Sequence, residues 1–299
     1  MDRLKEAVSV FTSCIENNPF FQDGIIARGN VYMDYGSKGG LIYARLDFSN
    51  KSATTDPLHL PARVNLAYTL QVSGKFMQAW NQFTAAIEIK PTFKPALEGR
   101  AIVNLQMSNT FAAYQDISAS IKVSPTAELL TNRGVINQFM QDRVNAMKDY
   151  QAAIKMDTTY ALAYFNAANV YFHTRHFRMA LDYYGKAIEH NPKDESAFLN
   201  RAITKVMLRD AEGALGDFRS AIKLSPHTAH MYFNRGNLYA SMEQFDKAEA
   251  DYSKALSLKP DDALVLKRRA DVLGKLGRKS EAIEDYRHAI EIQSQFSGE

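Results

Sequence analysis

The chain has 299 residues, with 36 Lys and Arg against 33 Asp and Glu, a formal net charge of +3 spread along its length. So small and dispersed an excess argues against nucleic acid as the partner, since such binders concentrate their cations on one face. No run approaches the apolar length of a membrane helix, the start Met1-Asp2-Arg3-Leu4-Lys5 has no apolar targeting segment, and the single cysteine, Cys14, cannot form an internal disulfide, so a cytoplasmic, membrane-free setting is expected.

Residues 1–19 carry Ala7, Phe11, Cys14 and Pro19 at the spacing of one helix closed by proline. The same spacing returns in Ala248, Tyr252, Ala255 and Pro260, as the second half of a helix pair, so the array is expected to begin in mid-repeat. Such an orphan helix leaves Val8 and Ile15 without a partner; the expectation is a fragment or isoform of a longer protein, or an end occupied by another chain. Residues 20–57 form the least regular unit, with Ile25, Arg28, Gly29 and Tyr32 on its first helix and Ala44, Asp47 and Phe48 on its second. Its turn, Asp34 to Gly40, holds three glycines and reads as a tolerated insertion in preference to a binding loop.

Seven further units follow without linkers, at 58–91, 92–125, 126–158, 159–192, 193–226, 227–260 and 261–294, and a tail at 295–299 ends the chain. Most close on a proline (Pro91, Pro125, Pro192, Pro226, Pro260), which stops a helix because it lacks an amide donor and clashes with the preceding turn. The unit at 126–158 is one residue short between Pro125 and Gly134, so local irregularity is expected there.

The stretch Tyr232, Asn234, Arg235, Gly236, Tyr239, Ala248, Tyr252, Ala255, Pro260 recurs at a shift of 34 residues, upstream from Phe198 to Pro226 and downstream from Leu266 to Ala289. A fixed period of this length marks a repeat array. The pattern resembles the tetratricopeptide repeat family, and the resemblance covers essentially the whole chain. It implies an all-α, right-handed superhelical solenoid of antiparallel helix pairs with eight full repeats after the orphan helix. It also implies non-catalytic binding of a peptide or helix from another protein in a concave groove, with no cofactor. The Asn-Arg-Gly and Asn-Arg-Ala units, followed by Asp-Tyr or Asp-Phe, are most similar to the C-terminal array of one animal member of the family, which implies a role in cilium assembly or a cytoskeletal scaffold.

Arg28, Arg100, Arg133, Arg201, Arg235 and Arg269 share one repeat position, and Asp47, Asp116, Asp149, Asp217, Asp251 and Asp285 share another. Six of the eight repeats carry both and two carry neither, with Leu66 and Gln82 in one and Ala167 and Tyr183 in the other. The matching predicts an Arg–Asp bridge within each repeat, because a guanidinium fork can bond a carboxylate at two points. Arginines so paired are not free to grip an anionic ligand.

By the geometry of the resembled family, Asn65, Asn132, Asn166, Asn200 and Asn234 line the groove, interrupted by Ala27, Gly99 and Arg268. Each amide offers donors and an acceptor, so the row can read the backbone of an extended segment; equally, each can bond local backbone between helices. The row is similar to the asparagine ladder of O-linked N-acetylglucosamine transferase, and the alternative reading is a substrate-recruiting or regulatory region of a larger enzyme of that glycosyltransferase kind. Val64, Tyr68, Ile102, Leu105, Phe139, Phe165, Phe172, Leu199 and Phe233 lie beside the row and are either groove-facing or core.

The carboxylate clamp that holds chaperone C-terminal tails in this family is incomplete. The best register supplies Asn169 and Asn200 but has Phe165, His230 and Asn234 where Lys, Lys and Arg are needed, so that partner is not expected. No catalytic constellation is present. His173 with His176, and His227 with His230, have no third ligand, and Gly274 to Ser280 has Arg278 where a phosphate loop needs glycine and reads as a turn.

Overall fold

The computed structural model describes residues 7–13, 27–28, 31 and 59–296, which form two compact units, residues 1–156 and 157–299. Residues 7–13 are helical. Cys14, Ile15 and Pro19, the turn Asp34 to Gly40, and Asp47 with Phe48 lie outside the described residues.

In the first unit the long helices are α1 (Leu60–Val72), α2 (Phe76–Ile89), α3 (Lys94–Gln106), α4 (Thr110–Val123), α5 (Ala127–Phe139) and α6 (Arg143–Met156). The second unit contains α7 (Ala161–His173), α8 (Phe177–His190), α9 (Glu195–Met207), α10 (Ala211–Leu224), α11 (Ala229–Ser241), α12 (Phe245–Leu258), α13 (Ala263–Lys275) and α14 (Lys279–Phe296). There is no strand among the described residues.

Helix ends follow local chemistry. Each first helix from α1 to α13 stops at a residue of positive φ: Gly74, Ser108, Gln141, Arg175, Arg209, Glu243 or Gly277. The two amides around that residue turn back onto the helix's last carbonyls, as when Gln141 N–H donates to Gln138 O at 3.0 Å and Asp142 N–H to Asn137 O at 2.8 Å. This paired cap satisfies carbonyls the helix would otherwise leave orphaned, and it reverses the chain for the second helix. Second helices end on non-helical residues just before proline, Lys90, Ser124, Asn191, Ser225 and Lys259, because the proline ring disfavours the α region for its predecessor. The residue missing after Pro125 comes out of the turn: Thr126 caps α5 directly, and α5 keeps the 13 residues of its counterparts.

Most pairs pack through small residues against a ring on the second helix, and Ile117 takes the place of the ring in α4. Phe83, Tyr150, Tyr184, Phe218 and Tyr252 are the largest of the fully buried side chains. Within each unit a second helix also packs on the next first helix, as α2 on α3 and α12 on α13, and α1 touches α3 as α9 touches α11. A first helix thus has two sides to bury. That is why Val64 and Leu199, residues the sequence left open as groove-facing, are core: Val64 shares a cluster with Phe83 and Val103, and Leu199 one with Phe218, Met231 and Leu238.

Candidate functional site

The arginines are tied. In all five pairs whose partners are both described, Nε and Nη2 of the arginine donate to the two carboxylate oxygens of the aspartate sixteen residues on: Arg100 to Asp116, Arg133 to Asp149, Arg201 to Asp217, Arg235 to Asp251 and Arg269 to Asp285, at 2.5–3.0 Å. The aspartates are buried, and hydrogen bonding to them pushes the Arg133, Arg235 and Arg269 guanidiniums above their ordinary range. Asp47 lies outside the described residues, so its pairing with Arg28 has no structural counterpart here.

A third contact was not visible in the spacing. Nη1 reaches back sixteen residues to a hydroxyl on the preceding second helix, from Arg28 to Thr12 at 3.1 Å, Arg100 to Thr84 at 3.2 Å and Arg269 to Ser253 at 2.9 Å. The one-residue loss after Pro125 shifts this register: Ser118, the counterpart of Thr84, keeps a buried hydroxyl with no hydrogen-bond partner. In the two repeats without the pair, other chemistry fills the position. Arg63 donates to Gln82 at 3.1 Å, and Tyr183 packs edge-on against Tyr171 with centroids 5.1 Å apart.

With the arginines occupied, the amide row and the buried rings define the candidate binding surface. In the first unit Asn65 is half-buried and Asn132 exposed. The interruption at Gly99 has a steric cause, since a Cβ there would lie 2.2 Å from Cζ of the buried Phe83 ring, sixteen residues earlier. Phe139 is 71% exposed and Ile102 44%, whereas Tyr68 packs edge-on to Phe83 and donates its hydroxyl to Pro95 O.

The second unit holds a connected arrangement. Tyr184 OH donates to Asn169 Oδ1 at 2.6 Å, and Asn200 Nδ2 donates to the same oxygen at 3.1 Å. Tyr252 OH donates to Asn237 Oδ1 at 2.8 Å, while Asn234 Nδ2 bonds His230 O of its own helix at 2.8 Å. Asn166 is half-buried. Phe165 and Phe233, also half-buried, lean on the Tyr184 and Tyr252 rings at 5.9 and 6.0 Å. Phe172 and Leu105 are half-buried as well.

Three clefts open on this surface. The first, about 110 Å³, is lined by Asn169, Phe172, His173, Tyr184, Asn200 and Ile203. A second of about 220 Å³ holds His230, Phe233 and Leu264 beside Lys259 and Asp262. The widest, about 460 Å³, is bounded by Asn237, Tyr252, Arg268 and Asp271. Burial pushes the Tyr184 and Tyr252 phenols up, Tyr252 to about 12 despite the opposing effect of the Arg268 charge, so both remain hydrogen-bond donors at neutral pH.

Asn237 and the two tyrosines are parts of the site that the sequence reading did not single out, and Asn169 entered it only through the clamp. A signal existed: the second-helix ring carries a hydroxyl in Tyr184, Tyr252 and Tyr286, where the residue fifteen earlier is Asn169, Asn237 or Asp271. It is apolar or lacks the partner in Phe218 with Ile203, and in Ile117 with Ile102. Tyr150, which faces Val135 by that count, turns its hydroxyl to Gln138 instead, at 2.6 Å. Among the described residues no group of three His, Cys, Asp or Glu side chains could hold a metal ion, and no helix is long and apolar enough to cross a membrane.

Two family models described as tetratricopeptide repeat match the chain, one at residues 161–194 and 229–262, the other at residues 268–296. Tetratricopeptide repeat protein 6 of Homo sapiens is 48% identical over 207 residues, covering 69% of this chain and 40% of that protein, so the chain spans two fifths of that relative's length. Among solved structures, the chain is similar to the APC/C hetero-tetramer Cut9–Hcn1, with a TM-score of 0.64 at 15% identity over 90% of this chain and 52% of that one. A tetratricopeptide repeat protein from Parabacteroides merdae gives a TM-score of 0.61 at 20% identity over 84% and 98%. The likeness to these structures concerns the fold. Period, helix pairing, repeat matches and fold converge: the chain carries tetratricopeptide repeats and folds as the all-α helix pairs of that repeat.

Proposed function

We propose that the chain is a non-catalytic scaffold that holds a segment of another protein along its first helices. The observation that carries this reading is the second unit's row of half-buried amides beside aromatic rings, in which Asn169, Asn200, Phe172 and the buried Tyr184 border a single cleft. Such a surface combines apolar area with a few fixed polar groups, the composition expected of a peptide groove. Five arginines committed to buried aspartates leave little concentrated positive charge, which favours a protein partner over nucleic acid. Phe165, His230 and Asn234 in place of the clamp cations speak against a chaperone C-terminal tail.

Asn65, Asn132, Asn166, Asn200 and Asn234, with Phe165 and Phe233, are the proposed contact residues. Replacing Asn132, Asn166, Asn200 and Asn234 together by Ala is expected to abolish partner capture in affinity purification while the melting temperature changes little. Retention of the same partners by the folded variant would reject the amide row as the binding surface. Similarity to tetratricopeptide repeat protein 6 supports a related cellular setting. A cytoplasmic scaffold in cilium assembly or cytoskeletal organisation is the setting proposed, and imaging the tagged chain in ciliated cells tests it.

A further inference from the structure

In the first unit the helices alternate in direction, so the turns that join α1 to α2, α3 to α4 and α5 to α6 lie side by side on one edge. Met77, Phe111 and Val144 each hold the second position of the helix that leaves such a turn, and they are 60%, 63% and 68% exposed. Val72 and Phe139, the last residues of α1 and α5, flank two of the same turns and are exposed to the same degree. The second unit has Arg178, Glu212, Asp246 and Ser280 at the position of Met77, so the fold itself requires no apolar residue there. The five side chains of the first unit amount to about 600 Å² of apolar surface, the top of the range for the largest patch on a monomer and most of the ~800 Å² that each partner buries in a standard interface.

The edge is also nearly without charge. From Gln71 to Gln78, Leu105 to Ala112 and Gln138 to Asn145 the charged side chains are Lys75, Asp142 and Arg143 alone, and amides such as Gln78, Gln106, Gln138 and Gln141 take the remaining polar positions. An interface that uses the same patch on both sides must be complementary to itself, which a single sign of charge prevents and amides, donor and acceptor at once, permit. The charges present meet that condition by their order. Lys75, Asn109 and Asp142 share one repeat position, immediately before the second helix, so the row reads positive, neutral, negative. A two-fold axis at the middle turn therefore brings each Lys75 to the Asp142 of the other copy, while Arg143 comes to the position of Phe76 and meets no like charge.

We infer that this edge joins two copies of the chain about a two-fold axis beside Asn109, with Phe111 against Phe111, Met77 against Val144 and Lys75 paired with Asp142. The inference goes beyond the scaffold reading, since it concerns the turn edge and not the first-helix amides, and it gives the assembly two partner-binding surfaces.

Sedimentation equilibrium of the full chain over a wide concentration range is expected to reach twice the 33.7 kDa of one chain. Phe111→Ser with Val144→Ser is expected to raise the dissociation constant more than about a hundredfold. Helical circular dichroism and melting temperature should stay those of the wild type, because both side chains are exposed within one copy. Lys75→Glu brings carboxylates together twice per dimer, so a rise of roughly tenfold is expected, smaller at high salt. In an Asp142→Asn background, where an amide can still accept from the Asn145 N–H, the same Lys75→Glu change is expected to have little effect. The mass of one chain at every concentration overturns the inference. So does a dimer that survives the two serines, for example one lost instead on Ile283→Ser with Ile290→Ser, at exposed positions of α14. Equal effects of Lys75→Glu with and without the Asp142 charge overturn the two-fold register, and the inference with it.

Discussion

Removing Arg235 while keeping Asp251 would strand a carboxylate that is 6% exposed and draws both of its charge-assisted bonds from that one guanidinium. Breaking one side of a buried pair is more costly than the pair is stabilising, so Arg235→Ala is expected to lower stability by about 3 kcal/mol in urea unfolding. Replacing Arg235 and Asp251 together should cost less than Arg235→Ala alone, since no charge is then left buried without a partner. The buried phenols predict an alkaline limit. Tyr252 is held up to about 12 in the folded chain against an ordinary 10.0, and burial shifts Tyr150 and Tyr184 the same way. Because the unfolded chain releases these protons first, stability is full below pH 10 and falls as pH rises through 12. Urea midpoints at pH 9 and pH 11 are the measurement, and Tyr252→Phe should fall less between them than the wild type.

At the scale of the helix, the reversal after each first helix needs one residue of positive φ, and five of seven repeats use a side chain that resists it. Gln141, at φ 63, and Arg209, at φ 63, sit in the left-handed region that Gly74 and Gly277 occupy without strain. Gln141→Gly relieves that strain but gains freedom in the unfolded chain, so the net stabilisation expected is about 0.5–1 kcal/mol, read as a raised urea midpoint. The turn after Pro125 works in the other direction. Its missing residue leaves α5 intact and takes effect at a single hydroxyl, Ser118, which loses the arginine its counterparts Thr84 and Ser253 keep. The sequence predicted irregularity there; only the packed helices locate it at that side chain.

For the whole molecule, helix pairs touch their sequence neighbours within each unit, so stability is approximately a sum of repeat and interface contributions. Damage should then remain local. Hydrogen exchange of Arg235→Ala is expected to lose protection in α11, α12 and the helices packed on them, with α1 to α4 unchanged. A uniform loss across both units would contradict this additive picture. The same arrangement decides the groove's edge, which the sequence left open. Val64 and Leu199 lie beside the amide row in sequence, yet each is buried with residues of the next first helix, a neighbour that a pattern within one helix does not reveal.

By itself the sequence determined the all-α repeat fold, because a period of 34 residues with small and aromatic positions specifies helix pairs that can bury their faces only by stacking. It also determined the Arg–Asp tie, since charges that are present together or absent together at two fixed positions leave a contact as their simplest cause. Tertiary structure decided what the amides of the groove offer. An asparagine carries donor and acceptor alike, and which of them is engaged at Asn169, Asn200 and Asn237 depends on bonds with Tyr184, Tyr252 and each other, on helices brought together only by folding.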